Sequence, residues 1–249
     1  MNTPLSSVWS IAALATFSAS LSAQMVINGD FSNGIVGEAT TMSGSAPDVG
    51  GDGSPIDDGW IEGRPGDVNW IVGSGSASRS GAEANPFNPI GIGQLFSNPA
   101  EGGFANGETI TYSLDYDLDS YTGSLQAVLY GVTGPRDGTS WATFTGEGIN
   151  LNAGVGLPAG GANYSFTSLI DVDQNTITGT GIFTQSVTLS ADYSYFFVGF
   201  AANPGNSSSA NTLTLNSVSV AAVPEPETMS AWFGGAIALF TVWRLRRRR

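Results

Sequence analysis

The fold is decided by the stretch Thr109–Asp119, which reads Thr-Ile-Thr-Tyr-Ser-Leu-Asp-Tyr-Asp-Leu-Asp. Apolar and polar residues alternate along it without a break, so Ile110, Tyr112 and Leu114 share one side while threonine, serine and aspartate share the other. A period of two is typical of a β-strand with one face in a core and the other face in solvent. The stretch therefore predicts a half-buried strand, with Tyr116 on its core side.

Similar short segments with turn residues between them recur over most of the chain. The predicted strands are Trp60–Ile61, Trp70–Val72, Ile92–Phe96, Thr109–Asp119, Leu125–Tyr130, Ser140–Thr145, Tyr164–Val172, Thr180–Leu189, Tyr195–Ala201 and Asn211–Val220. The opening stretch Gln24–Phe31 is a further short strand that runs into a turn at Asn28-Gly29. We expect Leu125–Tyr130 to form a hairpin with Thr109–Asp119. This spacing predicts an all-β chain whose residues 24–222 form one β-sandwich or jelly-roll domain.

Composition limits the function more than the fold. The chain has 34 glycines, no histidine and no cysteine, and its eight basic residues are all arginines. Five of those arginines lie after residue 222, with two of the 21 acids, so the preceding chain carries 3 arginines (8 − 5) and 19 acids (21 − 2), a net charge of −16. So acidic a body is repelled by phosphate backbones, which argues against nucleic acid as a partner.

The missing residue types also exclude several kinds of catalysis. Without histidine or cysteine there is no Ser-His-Asp triad, no Cys-His pair and no zinc site with those ligands. Without lysine there is no Schiff-base chemistry. A pair of carboxylates, as in glycosidases, is the remaining route. We therefore predict a protein that is not an enzyme, and keep a carboxylate glycosidase as the second alternative.

The densest group of acids lies in the loop predicted over residues 43–59. Its members are Asp48, Asp52, Asp57 and Asp58. Carboxylate oxygens suit Ca²⁺, so a structural calcium ion is the one cofactor that the sequence suggests, although the spacing is not that of the twelve-residue calcium loop. The alternative is a solvated Gly-Asp loop. A second row, Asp115, Asp117 and Asp119, lies on one strand face and is solvated or binds a cation.

Three tryptophans are candidates for contacts with a glycan. Exposed aromatic rings stack on the apolar faces of sugars, which makes Trp60, Trp70 and Trp141 the natural choice for such a platform. The alternative is that these rings fill the core of the sandwich.

The C-terminal segment, residues 223–249, has three parts in a fixed order. Val223-Pro224-Glu225-Pro226 comes first, an apolar run from Ser230 to Trp243 follows, and the chain ends Arg244-Leu245-Arg246-Arg247-Arg248-Arg249. The apolar run is long enough for a single, rather short transmembrane helix, and the arginines favour the cytoplasmic side. A plain membrane anchor explains the last two parts, but it does not explain the Pro-Glu-Pro box.

This order resembles the PEP-CTERM sorting signal of bacterial surface proteins. The resemblance implies processing by an exosortase, a membrane transpeptidase, near residues Val223, Pro224, Glu225 and Pro226. Arg244 and Arg246–Arg249 would be the membrane stop, and the inner membrane would be a transient location.

Residues 1–23 predict a secretory signal peptide. Val8–Leu21 is apolar and rich in small residues, and Ser20-Leu21-Ser22-Ala23 offers a cleavage site after Ala23. Export would then use Sec-type machinery. The alternative is a buried N-terminal helix.

The body has a second resemblance, to carbohydrate-binding, galactose-binding-like jelly rolls. Val26-Ile27-Asn28-Gly29-Asp30-Phe31 looks like their opening strand, Gly107–Leu114 is similar to a central strand, and Leu213–Val220 looks like the closing strand. The resemblance implies that the first and last strands are neighbours. It also implies an Asp in the closing strand, where this chain has Asn216, and this weakens the case for an inherited metal site.

Together these observations predict an exported surface or extracellular-matrix protein of a Gram-negative-type bacterium, with a non-catalytic interaction module as its body. The first alternative is a carbohydrate-binding module with an extracellular polysaccharide as its partner.

Overall fold

The computed structural model describes residues 26, 29–33, 37–38, 60–62, 70–82, 90–96, 104–134, 151, 154–156 and 164–223. These residues form strands and connections. The strands are β1 Gly37–Glu38, β2 Ile61–Glu62, β3 Ile71–Gly73, β4 Ser76–Ser80, β5 Ile90–Phe96, β6 Thr109–Asp117, β7 Ser124–Thr133, β8 Ser165–Asp173, β9 Thr180–Thr188, β10 Tyr195–Asn203 and β11 Thr212–Ala222.

The strands form two sheets. One has six strands in the order β1-β2-β5-β10-β7-β8, and the other has five in the order β3-β4-β11-β6-β9. All pairs are antiparallel except β1 with β2. Sequential strands such as β6 and β7 lie in different sheets, as is common in sandwiches with Greek-key connections. The prediction of an all-β sandwich is confirmed.

The core lies between the sheets and follows from the alternation in β6. Ile110, Tyr112 and Leu114 are fully buried and belong to one apolar cluster with Phe196 and Phe200 of β10. Burial of large apolar side chains contributes roughly 1.5–3 kcal/mol each, which makes this cluster the main source of stability in a chain without disulfides.

A buried arginine also connects the two sheets. Arg79 of β4 donates hydrogen bonds from Nη1 to the carbonyls of Ile90 in β5 and Ala202 in β10. Trp70 donates from its indole nitrogen to the same Ile90 carbonyl at 2.9 Å. These two side chains donate hydrogen bonds to backbone carbonyls inside the core, and an apolar side chain in their place could not do so.

The central strands β5, β10 and β7 of the six-stranded sheet are buried on both faces. A second apolar cluster lies on its outer side, where Val128, Tyr130 and Phe197 pack with Leu151 and Val155. Tyr130 donates its hydroxyl proton to the Val155 carbonyl at 2.7 Å, which fixes that covering segment on the sheet. Continuous burial explains why β10 is almost wholly apolar, whereas β6 alternates.

Three sequence predictions need correction. Leu125–Tyr130 does not form a hairpin with Thr109–Asp119, because β6 pairs with β11 and β9 while β7 pairs with β10 and β8. No strand was predicted between residues 73 and 89, yet this segment contains β4, whose small serines carry no strand signal. Residues 26 and 29–33 are in no strand.

The chain's opening residues nevertheless lie against its closing strand. The Val218 N–H of β11 donates to the Gly29 carbonyl at 2.7 Å, and Phe31 beside it is fully buried. The contact lies next to a bulge in β11, between Leu215 and Ser217. The expected closeness of the opening and closing stretches is therefore observed, although the opening one is not a strand.

Several predictions lie outside the described residues. These are the signal peptide, the strand Ser140–Thr145, Trp141, the acids Asp48, Asp52, Asp57 and Asp58, and everything after Val223. Within the described ranges, no helix has the length and apolar character needed to span a membrane.

Candidate binding face

Two of the three candidate tryptophans are in the core and do not form a glycan platform. Trp60 is fully buried, with its ring 5.1 Å from that of Phe31 and 5.7 Å from that of Phe200. Trp70 is also buried, and its backbone N–H donates to Glu62 at 2.9 Å. Both rings fill space between the sheets, where aromatic side chains bury the most area. For these two residues the interpretation as core is correct.

Among the described residues, the outer face of the five-stranded sheet is open to solvent. Its side chains alternate with the core residues of the same strands, and none of them is buried. We call this surface the hydroxyl face. Its members are Ser76, Ser78 and Ser80 of β4; Thr212, Thr214, Asn216, Ser217 and Ser219 of β11; Thr109, Thr111, Ser113, Asp115 and Asp117 of β6; and Thr180, Ile182, Thr184, Ser186 and Thr188 of β9.

Pairs of hydroxyls run along the boundary between β6 and β9. The register places Thr109 opposite Thr188, Thr111 opposite Ser186 and Ser113 opposite Thr184. The hydroxyl oxygens of these pairs are 3.1, 2.8 and 3.2 Å apart. Each hydroxyl donates one proton and accepts twice, so each pair keeps spare hydrogen-bonding capacity toward solvent. Such pairs also stabilise neighbouring strands.

The hydroxyl face becomes acidic toward one end. Thr180 donates to the Asp117 carboxylate at 3.0 Å, and Asn216 donates to the Asp115 carboxylate at 3.0 Å. Asn216 is at the bulge of β11, which brings its amide beside β6. An aspartate at this position would put two carboxylates within hydrogen-bonding distance of each other. The neutral amide instead fixes Asp115 in place, which gives a structural reason for asparagine here.

The face therefore offers hydroxyl donors and acceptors, two carboxylate acceptors and one amide, and no cationic side chain. Two large apolar residues lie on this side of the sheet, Ile182, which is 68% exposed, and Ile71 of edge strand β3, which is opposite Ser78 and 53% exposed. Among the described residues no group of three or more acids could hold a metal ion. In the row Asp115, Asp117 and Asp119, the first is half-buried and the other two are exposed.

Of the predicted sorting residues, Val223 alone is described. It follows β11 directly, is 42% exposed, and donates its N–H to the Thr109 carbonyl at 2.8 Å. The residue that begins the Pro-Glu-Pro box is therefore at the edge of the folded body and open to solvent.

From the sequence alone, only the β6 part of this face could be predicted. The alternation in Thr180–Thr188 and Thr212–Ala222 was visible, but polar side chains on a strand normally indicate nothing more than contact with water. The strand order β11-β6-β9 places these polar side chains side by side, although they are far apart in the sequence.

The chain matches no protein-family model and no curated protein. Among solved structures it is similar to a CBM4 carbohydrate-binding module, at 16% identity and a TM-score of 0.41 over 80% of this chain and 99% of that one. It is also similar to the xylan-binding module CBM15, at 12% and 0.34 over 68% and 94%. A third is the CBM22-1 xylan-binding domain from Paenibacillus barcinonensis, at 11% and 0.34 over 70% and 91%. These structural neighbours are carbohydrate-binding modules, and the likeness assigns no ligand or residue to this chain.

Proposed function

We propose that this protein is an exported, non-catalytic module that binds a neutral extracellular polysaccharide on its hydroxyl face. The observation that supports this most strongly is the open, continuous polar surface of the five-stranded sheet. A sugar chain presents many hydroxyls, which accept from and donate to serine and threonine and donate to carboxylates. The first alternative of the sequence analysis is thus preferred, with a different set of residues from the tryptophans.

The shape and charge of the face favour a long, uncharged ligand. β6 has nine residues and so extends for about 30 Å, which is enough for a row of contacts instead of a single sugar pocket. The carboxylates of Asp115 and Asp117, together with the net charge of −16 before residue 223, would repel an acidic polymer. We therefore expect preference for neutral polysaccharides.

The location is part of the same proposal and is supported by sequence alone. A signal peptide over residues 1–23 would export the body, and the C-terminal segment would hold it at the inner membrane until an exosortase processes the Pro-Glu-Pro box. The mature protein would then reside at the cell surface or in the extracellular matrix.

Binding is tested by affinity electrophoresis of the full-length chain in mild detergent, in gels that contain xylan, mannan, a mixed-linkage β-glucan or an acidic polysaccharide. We expect at least one neutral polymer to retard the protein and the acidic one not to. Asp115→Ala should weaken binding about 10- to 150-fold, because one charge-assisted hydrogen bond contributes roughly 1.5–3 kcal/mol.

Asp171→Ala is the matched control. Asp171 is an exposed aspartate on β8 of the other sheet and accepts a side-chain hydrogen bond from Gln126 at 3.1 Å. Its replacement removes the same charge and a comparable contact without touching the hydroxyl face. Equal losses in both variants, or no retardation by any neutral polymer, would contradict the proposal. Release of reducing sugar from the panel would favour the glycosidase hypothesis instead.

A further inference from the structure

Strand β9 is an edge of the five-stranded sheet. It pairs with β6 over all nine residues, from Thr180 opposite Asp117 to Thr188 opposite Thr109, without a shift in register. Within the described chain nothing pairs with its other side. An unpaired strand edge is a template for another strand, and proteins usually protect such edges.

The backbone groups at this edge can be assigned from two hydrogen bonds. The Leu189 N–H donates to the Glu108 carbonyl, so odd-numbered residues of β9 direct their N–H and C=O groups toward β6. The Val223 N–H donates to the Thr109 carbonyl, which therefore points away from β9 and from Thr188. Because these directions alternate along a strand, the even-numbered residues direct both groups to the open edge. They are Thr180, Ile182, Thr184, Ser186 and Thr188.

Judged on the described residues, this edge lacks the charges, the proline and the bulge that normally prevent strand addition. The sequence Thr180–Thr188 contains no charged residue and no proline, and its register with β6 has no bulge. The opposite edge of the same sheet, β3, has only three residues. The edge strand β8 of the other sheet has two aspartates, Asp171 and Asp173. β9 is therefore a long neutral strip in a chain whose net charge is −13.

We infer that β9 is the site at which two copies of this protein associate, edge to edge and antiparallel, about a twofold axis through Thr184. In that register Thr184 meets Thr184 of the second copy, Ile182 meets Ser186, and Thr180 meets Thr188. Every outward N–H then finds an outward carbonyl, and the two five-stranded sheets become one. The threonine pairs repeat the hydroxyl pairing between β6 and β9.

A second copy fits this edge better than a charged partner does. The strip has no charge with which to select an acidic or basic peptide, whereas its sequence complements itself in the register above. The acidic surfaces of two copies repel each other, so the dimer should become tighter as salt rises and screens that repulsion. A contact that depended on opposite charges would weaken instead.

Disulfide trapping tests the register directly, because the natural chain has no cysteine. Directly opposed residues that share two hydrogen bonds have Cα atoms about 5.5 Å apart, which suits a disulfide. The full-length Thr184→Cys chain in mild detergent should form a covalent dimer on oxidation. Ser219→Cys is the control, since Ser219 is on the same face in β11, two strands from the edge. It should remain monomeric on a denaturing gel.

A charge swap tests the same contact without a covalent bond. Thr184→Lys and Thr184→Glu each oppose like charges at the axis, and each should weaken dimerisation at least tenfold in sedimentation velocity. A mixture of the two variants should restore the dimer, which a merely misfolded variant would not do. If the unaltered chain is monomeric at about 100 µM, if the mixture fails to associate, or if Ser219→Cys crosslinks as well as Thr184→Cys, the inference is wrong.

Discussion

Tyr112 is at the centre of the core, and its hydroxyl has no hydrogen-bond partner among the described residues. Burial raises the pKa of Tyr112 far above its usual value, because the phenolate cannot be solvated there. A buried polar group without a partner costs about 1–3 kcal/mol. We therefore expect Tyr112→Phe to leave the free energy of unfolding unchanged or to raise it by about 1 kcal/mol, as measured by urea denaturation.

Tyr130→Phe is the comparison at the same scale. The Tyr130 hydroxyl donates to the Val155 carbonyl at 2.7 Å, so its removal breaks this hydrogen bond. This variant should lose about 1–2 kcal/mol. If Tyr112→Phe were destabilised as much as Tyr130→Phe, then the Tyr112 hydroxyl would have a partner and the interpretation would be wrong.

At the scale of the strands, a glycine in β5 and a glycine in β10 leave the space that the Phe197 ring occupies. Phe197 lies on the outer side of the six-stranded sheet, over Gly93 of β5 and Gly199 of β10, which are opposite each other. A Cβ at Gly199 would lie 2.5 Å from that ring. Gly199→Ala should therefore cost about 1–3 kcal/mol through overpacking. Thermal unfolding followed by circular dichroism measures the loss.

Gly156→Ala is the matched control, because a Cβ at Gly156 meets nothing within 4 Å. Its effect should stay within about 0.5 kcal/mol. Equal losses at Gly156 and Gly199 would contradict the assignment of the cost to contact with Phe197, because the loss of unfolded-chain entropy that alanine causes would by itself stabilise the fold.

The same elements show which parts of the structure the sequence could predict. Alternation located β6 nearly to the residue, because one face of this strand is in the core and the other is open to solvent. It could not separate the two faces of β10, which are both buried, nor find β4, whose buried residues are Ala77 and Arg79 and whose other residues are serines, none of them a typical strand former. The hydroxyl face as a whole could not be predicted from the sequence for a related reason. It depends on which strands are neighbours, and strand order is set by long-range packing that no local pattern records.

At the scale of the whole molecule, Val223 marks the passage from the folded body to the C-terminal segment. It is exposed directly after β11, the central strand of the five-stranded sheet. The residues after Val223 therefore follow directly from a strand that is paired on both sides. If the body is outside the cell and Arg246–Arg249 inside, Pro224-Glu225-Pro226 lies at the outer boundary of the inner membrane.

Replacement of Pro224, Glu225 and Pro226 together by alanine tests this arrangement. Each arginine costs about 2.5–3.5 kcal/mol at the bilayer centre, so the terminal cluster should keep the end of the chain in the cytoplasm. We expect the natural protein to appear at the surface without the residues after about Glu227, and the triple variant to remain full-length in the inner membrane. Fractionation and mass spectrometry of the C-terminal peptide measure both outcomes. Alanine in place of Thr228 and Met229 is the control and should not change processing. If the triple variant reached the surface at normal levels with its tail removed, the box would not be the signal, and the segment would be only an anchor.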